Sequence, residues 1–173
     1  MKYFRFLIYF VVIIINFIFQ TTVFEAVSIM GIKPDTALII VVSVAFIQGE
    51  FDGIVTGLFA GLLQDSFFSL YLGCHMFIYA SIAFVCGCFF KGFYKESFFL
   101  PIALCAAADL YSSLVFYVLN MLLRGYFNIL GFFTSVMLPE FVYTMLVSAF
   151  IYRLVYYVTE IINNRFGEQR RLF

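Results

Sequence analysis

The charges in this chain stand far apart and the residues between them are almost wholly apolar: 6–24 and 66–90 pass without a single Asp, Glu, Lys or Arg, and 36–49 is a shorter stretch of the same kind. A helix needs about 20 apolar residues to cross the roughly 30 Å hydrocarbon layer, so runs like these define a chain whose solvent is lipid. Composition leaves no other outlet for the apolar surface. Of 173 residues, 65% are hydrophobic and 12% charged, whereas soluble domains average roughly 45–50% and about 25%. Ten acids, ten bases and one His cannot build a water-facing shell. The length suits about five to seven spans in a single membrane domain. A formal net charge of zero points away from nucleic acid as a partner.

An all-α integral membrane protein with six spans is expected, over about residues 3–24, 36–48, 53–66, 72–90, 98–123 and 135–158, with 159–173 as a short cytoplasmic tail. The first run is too long for a signal-peptide core and no A-x-A-like cleavage site follows it, so it reads as a retained helix. Pro34 followed by Asp35 is a good helix start, because Pro suits a first turn and Asp caps nearby N–H donors. The second span extends only about 20 Å at 1.5 Å per residue. It must thin the bilayer, be extended by its flanks, or be shielded by neighbouring helices. Gly49-Glu50-Phe51-Asp52 reads as a tight acidic turn that joins the second and third spans in a hairpin. The last span starts somewhere between Ile129 and Pro139. With the N-terminus inside, Lys2, Arg5, Lys91, Lys95, Arg153, Arg165, Arg170 and Arg171 fall on the cytoplasmic side and only Lys33 and Arg124 outside. The positive-inside rule then puts both termini in the cytoplasm and requires an even number of spans.

The strongest local pattern is a glycine every fourth residue, Gly49, Gly53, Gly57 and Gly61, followed at the same step by Asp65. Four residues advance a helix by about 400°, so the row drifts by about 40° per step and makes a slanted ridge without side chains. In lipid such small-xxx-small rows allow close backbone contact. Two readings stay open: packing within this chain, or a docking face for another subunit's helix. Asp65, near the outer end of the third span, suits a helix-end or hairpin-packing role, with a proton or substrate role as the alternative. Asp109 is placed deeper, where a charge costs roughly 2.5–3.5 kcal/mol on insertion scales. Ser112, Ser113, Phe116 and Asn120 share roughly its face. It therefore looks into the bundle, for structural hydrogen bonding, a partner interface, or proton or substrate transport. His75, Asn16 and Gln20 are further polar points of the kind that bond helices together. Glu140 follows Pro139 and suits the first turn of a last helix that starts there, where the dipole favours an acid.

Nothing in the pattern is catalytic: there is no Ser/His/Asp order, phosphate loop or paired carboxylates, and no metal or cofactor is expected. Cys74, Cys86, Cys88 and Cys105 all lie inside apolar segments, and Cys86-x-Cys88 matches neither a zinc nor a thioredoxin spacing, so they read as small buried hydrophobes. The basic tail, with Arg165, Arg170 and Arg171, is either a positive-inside anchor or a contact for anionic lipid or a cytoplasmic partner.

Gly31-Ile32-Lys33-Pro34-Asp35 before the second span, Gly49 with Gly53 at the hairpin, Gly57-x-x-x-Gly61-Leu62-Leu63-Gln64-Asp65, and Leu72-Gly73-Cys74-His75 together resemble the MreD family of rod shape-determining proteins. The first span, which ends in Gln20-Thr21-Thr22, the basic N-terminus and the chain length are similar too, while the specific likeness covers about residues 20–80. The resemblance implies a non-enzymatic component of the bacterial elongation machinery in the inner membrane. Its implied partners are a single-span MreC-like protein and, through the complex, MreB, RodA and a penicillin-binding transpeptidase. It also implies a fold similar to the substrate-binding subunits of energy-coupling-factor vitamin transporters, and such a subunit is the alternative function. A helix-packing or partner interface would then involve Gly49, Gly53, Gly57, Gly61, Asp65 and Gly73, with Pro34 and Asp35 as the loop motif.

Overall fold

A computed structural model describes residues 2–26, 33–68, 72–89, 99–124 and 129–165, and every regular element among them is helical. The chain runs through α1 (Lys2–Ala26), α2 (Thr36–Gln48), α3 (Glu50–Phe68), α4 (Cys74–Cys88) and α5 (Phe99–Arg124). It ends in one unbroken helical run made of α6 (Ile129–Phe132), a π-helical turn (Phe133–Met137) and α7 (Leu138–Arg165). The expected basic loop with Lys91 and Lys95, the motif residues Gly31 and Ile32, and the tail with Arg170 and Arg171 lie outside the described residues.

The short helix α2 is the axis of the molecule: all thirteen of its residues are buried, and α1, α3, α4, α5 and α7 pack around it. Of the three ways to accommodate a span this short, the fold uses shielding by neighbours, so α2 never meets lipid. The outer helices show the opposite distribution. On α1, Tyr9, Ile13 and Gln20 face inward while Leu7, Phe10, Val11, Ile15, Ile18 and Phe19 are exposed. Among the described residues two segments are long and apolar enough to cross a membrane, Leu100–Leu119 and Leu138–Ile161, and they are only 28% and 22% buried. A core helix of a soluble protein would be mostly covered; these two turn their apolar surface outward, which is stable only in lipid.

The helices alternate in direction. Phe10 meets Phe59 and Phe17 meets Phe67, so α1 and α3 run parallel. Gly57 lies against Tyr79 and Gly61 against Met76, so α4 runs antiparallel to α3. Phe116 of α5 stacks on His75 of α4 while Tyr111 meets Ser81, again antiparallel.

The glycine row explains the tightest contact, between α3 and α4. A Cβ on Gly53 would lie 2.5 Å from the Cβ of Ala45 on α2, whereas one on Gly57 would lie 2.9 Å from the Tyr79 carbonyl oxygen and one on Gly61 2.4 Å from Met76 Cα, both on α4. The drift of about 40° per step carries the row from one neighbour to the next. From 53 to 61 the row is therefore filled by the chain's own helices. Gly87 returns the contact from α4, where a Cβ would meet Glu50 Cα at 2.3 Å.

Two expectations need correction, and the open start of the last helix is fixed. The acidic turn over 49–52 shrinks to one residue: Gly49, with φ 104°, links α2 to α3, and Glu50, Phe51 and Asp52 already form the first turn of α3. Gly73 is not a packing glycine, because an added Cβ would find no atom within 4 Å; its φ of +104° places it in the left-handed region, where glycine is favoured. The last helix starts at the early edge of the expected range, at Ile129 rather than near 135 or at Pro139. The helical run reaches back to Ile129, and the π-helical turn at 133–137 precedes the proline, which cannot donate to the carbonyl four residues back. Glu140 thus sits beside this irregular turn rather than at a free helix N-terminus.

Candidate functional site

The polar side chains gather where the N-terminal ends of α2, α4 and α7 meet the C-terminal end of α3 and the middle of α5. Two aspartates organise this region, each by capping a helix.

Asp65, at the end of α3 and 1% exposed, caps a helix other than its own. Its Oδ2 accepts the N–H of Gly73 at 2.9 Å and of Met76 at 3.2 Å, and its Oδ1 accepts the N–H of His75 at 3.0 Å. The His75 ring Nδ1 stands 2.7 Å from the same Oδ1. The first N–H groups of a helix have no intrahelical acceptor, and Gly73 at the cap has no side chain to offer, so the carboxylate of α3 takes over. The negative charge also suits the positive end of α4. His75 is half-buried, and its ring packs on Phe116 of α5 at 4.3 Å between centroids.

Asp35 caps α2 in the ordinary way, its Oδ1 accepting the Leu38 N–H at 3.0 Å. Its Oδ2 accepts the hydroxyl of Tyr79, 1% exposed on α4, at 2.6 Å, and its own N–H donates to the Thr144 hydroxyl of α7 at 3.4 Å. One residue thereby ties α2, α4 and α7 together. Removal from water raises the Asp35 carboxyl above the usual carboxylate range, against the opposing pull of the Tyr79 hydroxyl and the Leu38 N–H. Tyr79→Phe deletes the donor and leaves a buried acceptor unmatched, so it is expected to cost about 1–3 kcal/mol. A clear fall in the thermal unfolding temperature of the purified protein checks this, with Tyr157→Phe, exposed on α7, as the unaffected control.

Asp109 lies in the middle of α5, 1% exposed, and both of its carboxylate oxygens lack a hydrogen-bond partner. Thr144 faces it without completing a hydrogen bond, and Glu140 of α7 is half-buried within electrostatic reach. Ser112 and Ser113 are buried beside it, but the Ser112 hydroxyl donates to the Asp109 carbonyl of its own helix. Asn16 and Gln20 stand apart on α1: Asn16 is half-buried, and Gln20 is buried with an unpartnered Oε1. The Asn120 side chain lies outside the described residues. Of the cysteines, Cys86 and Cys105 are buried, Cys74 half-buried and Cys88 exposed, all free. Among the described residues no group of three or more His, Cys, Asp or Glu is placed to hold a metal ion.

Sequence reasoning missed Tyr79, Thr144 and Gly87. Each carries a faint signal: Tyr79 is four residues after His75, Thr144 is four after Glu140, and Ala83-x-x-x-Gly87 has small-xxx-small spacing.

The model of the rod shape-determining protein MreD family matches residues 1–162, nearly the whole chain. The chain belongs to the MreD family. It is accordingly a membrane protein whose family takes part in determining rod shape, and the MreD match spans every helix from α1 through most of α7. Neither the curated proteins nor the solved structures provide a match. The capping aspartates of this MreD chain fall within the Pro34-Asp35 and Gly61-to-Asp65 motifs, so the motif residues serve to hold helix ends together.

Proposed function

We propose that this MreD-family chain is a non-enzymatic scaffold of the bacterial elongation machinery, a single domain of six spans in the inner membrane with both termini in the cytoplasm. It binds a single-span MreC-like protein and, through that complex, MreB, RodA and a penicillin-binding transpeptidase. The observation that carries the reading is the family match over residues 1–162. Two structural features support it. The buried carboxylates of Asp35 and Asp65 are engaged in joining helix ends. The alternating helix directions and the outward apolar surfaces of α1, α5 and α7 suit six passes through lipid. Because α2 and α4 fill the glycine row, the partner's helix docks on another face, and the row acts by setting the shape of the bundle. No observation favours the transporter-subunit reading.

The test is affinity purification of the tagged chain from its native membrane in mild detergent, with mass spectrometry of what accompanies it. An MreC-like protein and other elongation proteins are expected. Recovery of an ATPase pair with a coupling membrane subunit, and no elongation protein, would overturn the proposal.

A further inference from the structure

Asp65 and Asp35 each meet donors on more than one side; Asp109 meets none. It is 1% exposed and both its oxygens are unpartnered, so a partner protein's side chain cannot reach it from outside the bundle. The groups that act on it from the packed helices are Asp35 at the head of α2 and Thr144 on α7, and neither brings positive charge. Glu140 of α7 adds a third carboxyl, and Tyr79 of α4 stands within reach of all three acids. Cys105, one turn back on α5, is a buried free thiol. His75, the histidine of this region, is engaged by Asp65 of α3. A buried carboxylate needs a counter-charge or a proton, and the described residues around Asp109 supply neither.

We propose that Asp109 is the anionic centre of a buried site for one small monovalent cation, H+ or Na+, completed by the Thr144 hydroxyl. The site goes beyond the scaffold role and does not depend on it. A single carboxylate with hydroxyl oxygen suits a hard, singly charged ion, whereas the described residues place no group of three acids close enough for a metal ion that needs them. Because Thr144 also accepts the Asp35 N–H, occupancy of the site bears on the junction of α2, α5 and α7.

The test uses the full-length chain in nanodiscs, with thermal unfolding followed from mildly acidic to mildly alkaline pH. Ionic strength is held constant while Na+ replaces N-methyl-D-glucamine. If the cation is a proton, the folded state binds more protons than the unfolded state. Stability then falls as pH rises, by about 3–5 °C per pH unit within the window, and ignores Na+. If it is Na+, the unfolding temperature climbs with Na+, most steeply at alkaline pH. In either case Asp109→Asn flattens the response. Equal pH and Na+ responses in wild type and Asp109→Asn would overturn the site. Should the variant not fold, the infrared band of a protonated carboxyl in the wild-type protein decides. Its loss on alkalinisation supports the proton and its loss on adding Na+ supports the metal, while a spectrum insensitive to both overturns the proposal.

Discussion

Gly61→Leu is expected to leave little correctly folded protein. A Cβ at this position would stand 2.4 Å from Met76 Cα, 2.5 Å from Met76 N and 2.7 Å from the His75 carbonyl carbon, all backbone atoms of α4 that no rotamer change can move. Relief requires α3 and α4 to separate, and this is the most extensive helix pair in the fold. Ordinary overpacking costs about 1–3 kcal/mol, and a whole Leu side chain set against backbone belongs at or above the top of that range. Separation would also break the cap that Asp65 places on α4, since Gly61 lies one turn before it. The checks are abundance in isolated membranes and the unfolding temperature of purified protein, with Gly61→Ala expected to fall between wild type and Leu. Leu58→Ala provides the control, because Leu58 is on the same helix but 38% exposed to the outside. A Gly61→Leu protein that unfolds within a few degrees of wild type would show that the two helices are not in backbone contact.

The second large effect is expected at Asp65. Its carboxylate meets three backbone N–H groups and the His75 ring. Asp65→Ala strands all four at a part-buried helix end. Loss of a cap costs about 0.5–2 kcal/mol, and the loss of hydrogen bonds to a charged acceptor adds to it, so a total of about 2 kcal/mol is expected. Asp65→Asn keeps one acceptor oxygen and is expected to lose about half as much. The order wild type, Asn, Ala in unfolding temperature is the readout. Equal stability of the Ala variant and wild type would mean that water or another group caps α4.

The capping assignments show how far local reasoning reaches. Pro34-Asp35 announces the start of α2 because the fixed proline φ and the carboxyl acceptor act within a few residues, and Asp35 does accept the Leu38 N–H. The four-residue glycine step likewise describes the ridge on α3 from helix geometry alone. What neither pattern reveals is the partner: Asp35 meets Tyr79 across 44 residues and Thr144 across 109, and the ridge changes neighbour between Gly53 and Gly57. Gly73 shows the reverse case, since by sequence it resembles the packing glycines and only its φ reveals the different reason for its presence.

Taken alone, then, the sequence determined that this chain lives in lipid, where its helices break, and which rare residues are too polar or too small to be indifferent, because these follow from composition, spacing and the chemistry of helix ends. It could not determine which faces turn inward. In water the apolar side of a helix marks the core, but in a bilayer both sides are apolar and hydrophobic periodicity loses that meaning. Only the tertiary structure decided that α2 is wholly enclosed, that the glycine row meets the chain's own α2 and α4, and that Asp109 is buried with no counter-charge beside it among the described residues. Each of these depends on backbone contacts and hydrogen bonds between residues that the sequence holds far apart.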